Sequence, residues 1–263
     1  MSDLKVALVQ TSQFWEDKNR NLLHFDQLLE NQLNEKVDML VFPEMFHTGF
    51  TMNAANLAET MTDSIAIDWL KEKAKHFECL TVASLIIKEN GKFFNRMLAV
   101  QPSGSIQYYD KRHLFTLANE DKYYAAGNMN TIVEFRGWRI LLQVCYDLRF
   151  PENSRNSVSL SGEFDFDLIC YVANWPERRI AHWNVLLPAR AIENQCCVVA
   201  VNRLGSDENA LTYNGCSQAI SALGEFCLHP IENLEIVKII SLSMDQLLET
   251  RSKLPFLKDK RPL

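Results

Sequence analysis

The sequence predicts a single α/β domain whose sheets are covered by helices. Apolar runs rich in β-branched and aromatic residues alternate with amphipathic helical segments, and no linker, repeat or shift in composition interrupts them. Several runs are apolar throughout rather than alternating, as expected of strands buried on both faces.

The elements follow in chain order. Residues 5–10 read as a strand, and 18–35 as a helix with Leu22, Phe25, Leu29 and Leu33 on one stripe. Residues 37–42 form a second strand. A helix over 64–77 turns Ala66, Trp69, Leu70, Ala74 and Phe77 inward, with Thr62, Asp63 or Ser64 as its N-cap. Further strands are expected at 80–87, 96–100, 137–145, 168–172, 197–202, 217–222 and 235–240. The helix expected over 180–195 contains Pro188, which removes an interior hydrogen bond and predicts a kink. A short helix at 243–251 and a Lys/Pro-rich surface tail close the chain, so the expected division is a domain over 4–240 and a helix and tail over 241–263.

With 263 residues, 47% of them hydrophobic, the chain can bury a large core and is not of the disordered class. A net charge of -6 without a basic stripe gives no footprint for nucleic acid. No apolar run approaches the ~20 residues that span a bilayer, and no basic, apolar and cleavage-site sequence marks a signal peptide. A cytoplasmic protein with no nucleic-acid or membrane partner is the expectation. The seven cysteines include the adjacent pair Cys196 and Cys197 but no C-x-x-C, and the six histidines lack metal-ligand spacing. Dinucleotide and P-loop fingerprints are absent. Neither a metal nor a cofactor is expected.

Three places set a polar or reactive side chain where an apolar strand stops. In Leu40-Val41-Phe42-Pro43-Glu44, proline ends the strand and leaves a carboxylate among apolar neighbours, a group suited to act as a base. In Tyr109-Asp110-Lys111-Arg112-His113, a lysine follows an aromatic strand and can supply fixed positive charge to an oxyanion. In Val144-Cys145-Tyr146-Asp147-Leu148-Arg149, a strand ends at a cysteine followed by a polar turn, resembling a nucleophile elbow. A nearby lysine would favour the thiolate and lower the thiol pKa. Singly, each has a plain alternative: a solvated glutamate, a basic surface turn, a core cysteine. Their combination points to acyl-transfer chemistry.

In that chain order, Phe-Pro-Glu44, Asp-Lys111-Arg-His-Leu-Phe and Cys145-Tyr-Asp-Leu-Arg-Phe-Pro-Glu resemble the Glu-Lys-Cys triad of the nitrilase superfamily. The similarity continues through Tyr171–Pro176, Ala189–Asn194 and Asn202–Asp207, and so covers most of the chain. Glu44-Met45-Phe46 with Thr48-Gly49-Phe50, and the segments around Lys111 and Cys145, most resemble the omega-amidases. That family hydrolyses monoamides of dicarboxylates, such as 2-oxoglutaramate. The resemblance implies a four-layer α-β-β-α sandwich, homodimers and no cofactor. It also implies Cys145 as nucleophile, Glu44 as base, and Lys111 with the Tyr146 backbone N–H as oxyanion donors. Glu120 matches a second glutamate that orients the lysine. Tyr146, Arg149, Asn174 and Trp175 are the expected substrate-binding residues, with pairing of Arg149 to Asp147 or Glu152 as its alternative role.

Three other readings remain open on sequence: an N-carbamoyl or deaminated-glutathione amidase with the same triad, a silent binding protein on the same fold, and a Cys–His hydrolase using His113 or His182.

Overall fold

The computed structural model describes residues 3–159 and 161–260. Strand β1 (Leu4–Gln10) leads through helix α1 (Lys18–Gln32) to β2 (Met39–Val41). Helices α2 (Ala54–Leu57) and α3 (Ile65–His76) precede β3 (Leu80–Glu89), β4 (Lys92–Val100) and β5 (Ile106–Asp110). After α4 (Glu120–Tyr123) come β6 (Ile132–Phe135), β7 (Trp138–Val144) and β8 (Leu168–Ala173). Helix α5 (Ile180–Asn194) is followed by β9 (Cys197–Asn202), β10 (Leu204–Ser206), β11 (Thr212–Ile220), β12 (Phe226–Glu232), β13 (Ile236–Leu242) and α6 (Met244–Lys253).

The strands form two sheets. One has the order β13-β1-β2-β3-β4-β5; in the other, β10-β11-β9-β8-β7-β6, strand β12 also pairs with β11. Side-chain alternation fixes the layers. On β1, Val6 and Leu8 face inward and join Ile140, Leu142, Leu168 and Val199 of the second sheet in one core. Their neighbours Ala7 and Val9 face outward, packing with Phe25 of α1 and Leu70 of α3. Across the second sheet, Ile169 and Tyr171 of β8 pack outward on Trp183 and Leu187 of α5. The result is the α-β-β-α sandwich expected, and burial of both strand faces explains their unbroken hydrophobicity.

Strands β1, β2 and β3 run parallel, as do β7, β8 and β9. Each triplet sends its C-terminal ends to one rim, where crossover folds of this kind place ligand sites. Helix α3 starts at Ser64, whose side chain accepts the Ile67 N–H, so the third of the expected cap candidates is the one used. Helix α5 runs unbroken through Pro188, contrary to the doubt that proline raised. Beyond Pro188 the helix is tied down: the Arg190 guanidinium donates to the Leu148 carbonyl at 2.6 Å, and Asn194 Nδ2 to the Arg190 carbonyl at 2.9 Å. Helix α6 is likewise docked, with Arg251 donating to Asp167 at 2.6 Å and to the Phe166 carbonyl at 2.8 Å. Of the expected tail, 256–259 form a short 3-10 turn, and 261–263 lie outside the described residues.

Candidate active site

Both chemically interesting strand ends turn sharply. Cys145 immediately follows β7 with φ +44°, and Met45, next to Glu44, has φ +43°. A left-handed backbone at non-glycine residues costs about 1–3 kcal/mol and persists only where surrounding bonds enforce it. At Met45 its N–H donates to Ser84 Oγ at 2.8 Å, while its carbonyl accepts Thr48 and Gly49 N–H at 3.0 and 2.8 Å. At Cys145 the enforcing group is Asp147, which is fully buried and accepts from the Val144 N–H, the His113 N–H and the Tyr109 hydroxyl at 3.1, 3.0 and 2.8 Å. His113 Nδ1 also lies 2.8 Å from Asp147, and its ring stacks on Phe150. His113 therefore braces the cysteine turn.

Glu44, Lys111 and Cys145 converge on one cavity of about 590 Å³ at the rim of the sandwich. Lys111 Nζ lies 2.9 Å from Glu44 Oε1, and 3.0 and 2.9 Å from the two oxygens of Glu120. All three side chains are essentially inaccessible. Glu120 also accepts the Phe115 N–H at 2.6 Å, which fixes the loop after Lys111. Glu44 Oε2 accepts the Asn174 N–H at 2.8 Å, and its backbone carbonyl accepts Asn174 Nδ2 at 2.7 Å. The Asn174 loop is held in turn by Asn202, whose Oδ1 accepts the Trp175 N–H at 2.7 Å.

Burial opposes charge on the lysine, but Glu120 and Glu44 outweigh it and hold the ammonium well above its ordinary range. For Glu120, burial comes first and Lys111 works against it; with Glu44 adding its own charge, the net push is upward. At Cys145, burial and then the charge of Glu44 drive the thiol well above its ordinary value, and Lys111 only partly offsets them. The nearby lysine does lower this pKa, as the sequence led one to expect, but burial and Glu44 outweigh it and the net push is upward. Lys111 also faces two carboxylates, and the balance at Cys145 favours the thiol form.

Tyr146, Arg149, Asn174 and Trp175 all line the cavity. Arg149 pairs with neither Asp147 nor Glu152; its guanidinium sits over Trp175 at 4.5 Å and meets His182 Nδ1 at 3.1 Å. Arg178 and Arg179 line the same cavity. Burial first, then the charges of Arg178 and Arg149, push the Arg179 guanidinium below its ordinary value. Among the described residues, none of these arginines has a carboxylate partner. Arg112, the neighbour of Lys111 in sequence, turns to Asn153 and Asn130. Reading the sequence missed Asn95. It lies in β4, apart from every motif, yet donates to Glu44 Oε1 at 2.7 Å and to Glu120 Oε1 at 3.3 Å. In sequence it is only a polar residue beside Arg96 in a strand that is otherwise apolar from Phe93 to Val100.

The carbon-nitrogen hydrolase family matches residues 5–252, and the chain belongs to that family of hydrolases, which is also its place within the nitrilase superfamily. Omega-amidase YafV of Yersinia enterocolitica is 45% identical over 98% of this chain and 97% of its own. The 2-oxoglutaramate amidase of Bacillus subtilis is 33% identical over 87% of this chain and 86% of its own. Among solved structures, a CN-hydrolase superfamily protein from Xanthomonas campestris, XC1258, superposes with a TM-score of 0.96 at 42% identity, covering 100% of this chain and 99% of that one. It carries an arsenic adduct in its active site.

Proposed function

We propose that this protein is an omega-amidase, hydrolysing the terminal amide of a short dicarboxylic monoamide of the 2-oxoglutaramate kind to the acid and ammonia. One observation carries the reading. The cavity that joins Glu44, Lys111 and Cys145 is also lined by Arg149, Arg178 and Arg179, cations with no ion-paired carboxylate among the described residues. The named amidase relatives support the same substrate class.

Cys145 enters the reaction as a thiol. Its S–H bond breaks as the proton passes to Glu44, the sulfur bonds to the amide carbon, and the carbonyl electron pair moves onto oxygen. The Lys111 ammonium and the Tyr146 backbone N–H hold that oxyanion. On collapse the C–N bond breaks, nitrogen takes the proton from Glu44, and ammonia leaves behind a thioester. Water then gives a proton to Glu44 as its oxygen attacks the thioester, the C–S bond breaks, and Cys145 regains a proton as the acid departs. Glu120 positions Lys111. Asn174 and Trp175 shape the wall against which the substrate lies, and Arg149, Arg178 and Arg179 take its distal carboxylate. The sequence uses protein groups and water only.

Ammonia release from 2-oxoglutaramate, 2-oxosuccinamate, N-carbamoyl amino acids and simple nitriles tests the reading. The two monoamides should be the best substrates. Faster turnover of the carbamoyl compounds, with carbon dioxide released beside ammonia, would replace it with an N-carbamoyl amidase.

The working form we propose is a cytoplasmic homodimer. Exposed Val185 and Ile192 on α5, with Leu223 and Phe226 around the β11–β12 turn, offer apolar surface for a second copy. Light scattering at micromolar concentration should give twice the chain mass; a monomer would remove the dimer.

A further inference from the structure

We infer that Asn95 is a positioning residue of this reaction, fixing Glu44 so that Oε2, and not Oε1, takes the Cys145 proton. The inference rests on the amidase reading and adds a residue to it. Asn95 is fully buried in β4, and its carbonyl accepts the Lys111 N–H at 3.0 Å, which sets it beside the lysine. Its amide nitrogen carries two hydrogens, and two carboxylates lie within reach: Glu44 Oε1 at 2.7 Å and Glu120 Oε1 at 3.3 Å. The amide oxygen Oδ1 is buried without a partner among the described residues, so the side chain is oriented by its donor end.

The two oxygens of Glu44 are therefore unequal. Oε1 accepts from both Lys111 Nζ, at 2.9 Å, and Asn95, which uses its two lone pairs. Oε2 accepts the Asn174 N–H at 2.8 Å and keeps a lone pair for a proton. Cys145 opens on the same cavity as Glu44, so its proton goes to the oxygen with a lone pair left, Oε2. When the S–H bond breaks, the new O–H bond forms at Oε2. The donors on Oε1 hold the carboxyl in place to return that proton to the leaving nitrogen. An amide suits this position because it donates to two carboxylates without adding charge and does not compete for the proton.

Two variants and two measurements test this. The measurements are steady-state kinetics on succinamate and the rate of Cys145 alkylation by iodoacetamide, followed by mass spectrometry across pH. Asn95→Ala should lower kcat about 10²-fold, the usual scale of a disturbed general base. Its KM should stay within about threefold, because substrate contacts are untouched. Cys145 alkylation near neutral pH should slow in parallel in a chain that circular dichroism shows to be folded. Asn95→Asp should be inactive near neutral pH and regain activity as pH falls, because only its protonated carboxyl can donate to Glu44 Oε1; a packing role would not move the profile in this way. Should this variant fail to fold, Asn95→Ala decides. Parental kcat and parental alkylation rate in Asn95→Ala would overturn the inference. If the parent releases ammonia from no amide, the amidase reading fails instead, and the alkylation arm, which needs no substrate, still judges Asn95.

Discussion

The Tyr109 hydroxyl donates to Asp147 Oδ2 at 2.8 Å, tying the strand that leads to Lys111 on one sheet to the turn that carries Cys145 on the other. Asn153 Nδ2 donates to the same hydroxyl at 3.1 Å, so one phenol joins three segments around the site. Tyr109→Phe should cost about 1–2 kcal/mol of stability, the penalty of leaving buried polar groups underpaired. It should also lower kcat about tenfold as the turn loosens. Urea unfolding and steady-state kinetics read the two effects; parental kcat would show that this bond does not hold the nucleophile.

Cys145→Ala should abolish amide hydrolysis in a folded chain, since alanine keeps the Cβ and supplies no nucleophile. Iodoacetamide should label Cys145, whose proton Glu44 can take, and exposed Cys227 ahead of Cys79, Cys170, Cys196, Cys197 and Cys216, which are buried. Turnover by Cys145→Ala would rule out the mechanism.

Glu44→Gln should be inactive with its shape kept, because an amide cannot take the proton. Lys111→Met should lose activity and also about 3–5 kcal/mol of stability, since it leaves Glu44 and Glu120 buried without their cation. Adding Glu120→Gln to Lys111→Met should restore part of the stability and none of the activity. Denaturant midpoints and ammonia assays on both variants separate the two losses, and an active Lys111→Met would free the lysine from the oxyanion role.

The unpaired arginines predict a preference for anionic substrates. One charge-assisted bond to a distal carboxylate contributes roughly 1.5–3 kcal/mol, which is a factor of about ten or more. Succinamate should therefore exceed butyramide at least about tenfold in kcat/KM, and Arg149→Gln, Arg178→Gln and Arg179→Gln combined should shrink the ratio. Equal values in the parent would remove the anionic-substrate reading and leave the amidase chemistry in place.

Glu59 predicts a pH dependence of stability. Burial opposes its ionisation, but His47 and then Lys18 and Ser64 prevail and hold it at about 2. Burial keeps His47 itself below its ordinary value, so near neutral pH the cation at work is Lys18, 2.8 Å away. A carboxylate depressed on folding stabilises above its unfolded value of 4.5, and that contribution fades as pH falls toward 2. Glu59→Gln should lower stability by about 2 kcal/mol at pH 7, allowing for partial screening, and by progressively less below pH ~4.5. A gap that stays constant from pH 7 to pH 3 would mean that the lost interaction is not ionic.

Local hydrophobic pattern was enough for the layered α/β fold, because strands such as β1 and β8 are apolar on both faces and the helices on one. It also carried the reactive residues at strand ends, since Pro43-Glu44 and Cys145 each interrupt an apolar run at a rim. Short or polar strands were not legible: β6, β10 and β12 exist through pairing with their neighbours, and β12 has no fully buried position. Pro188 left the continuity of helix α5 open on sequence; the helix continues through it, with Arg190 docked on the Leu148 carbonyl. The electrostatics of the site depend on the assembled fold. Glu44, Asn95, Lys111, Glu120 and Asn174 come from different segments, and their mutual distances, which set charge and proton position, exist only when the sheets stack. That stacking turned Arg112 away, left Arg179 beside Arg149, and pushed the Cys145 thiol up, because burial and the Glu44 charge outweigh the lysine that chain order places in the same motif set.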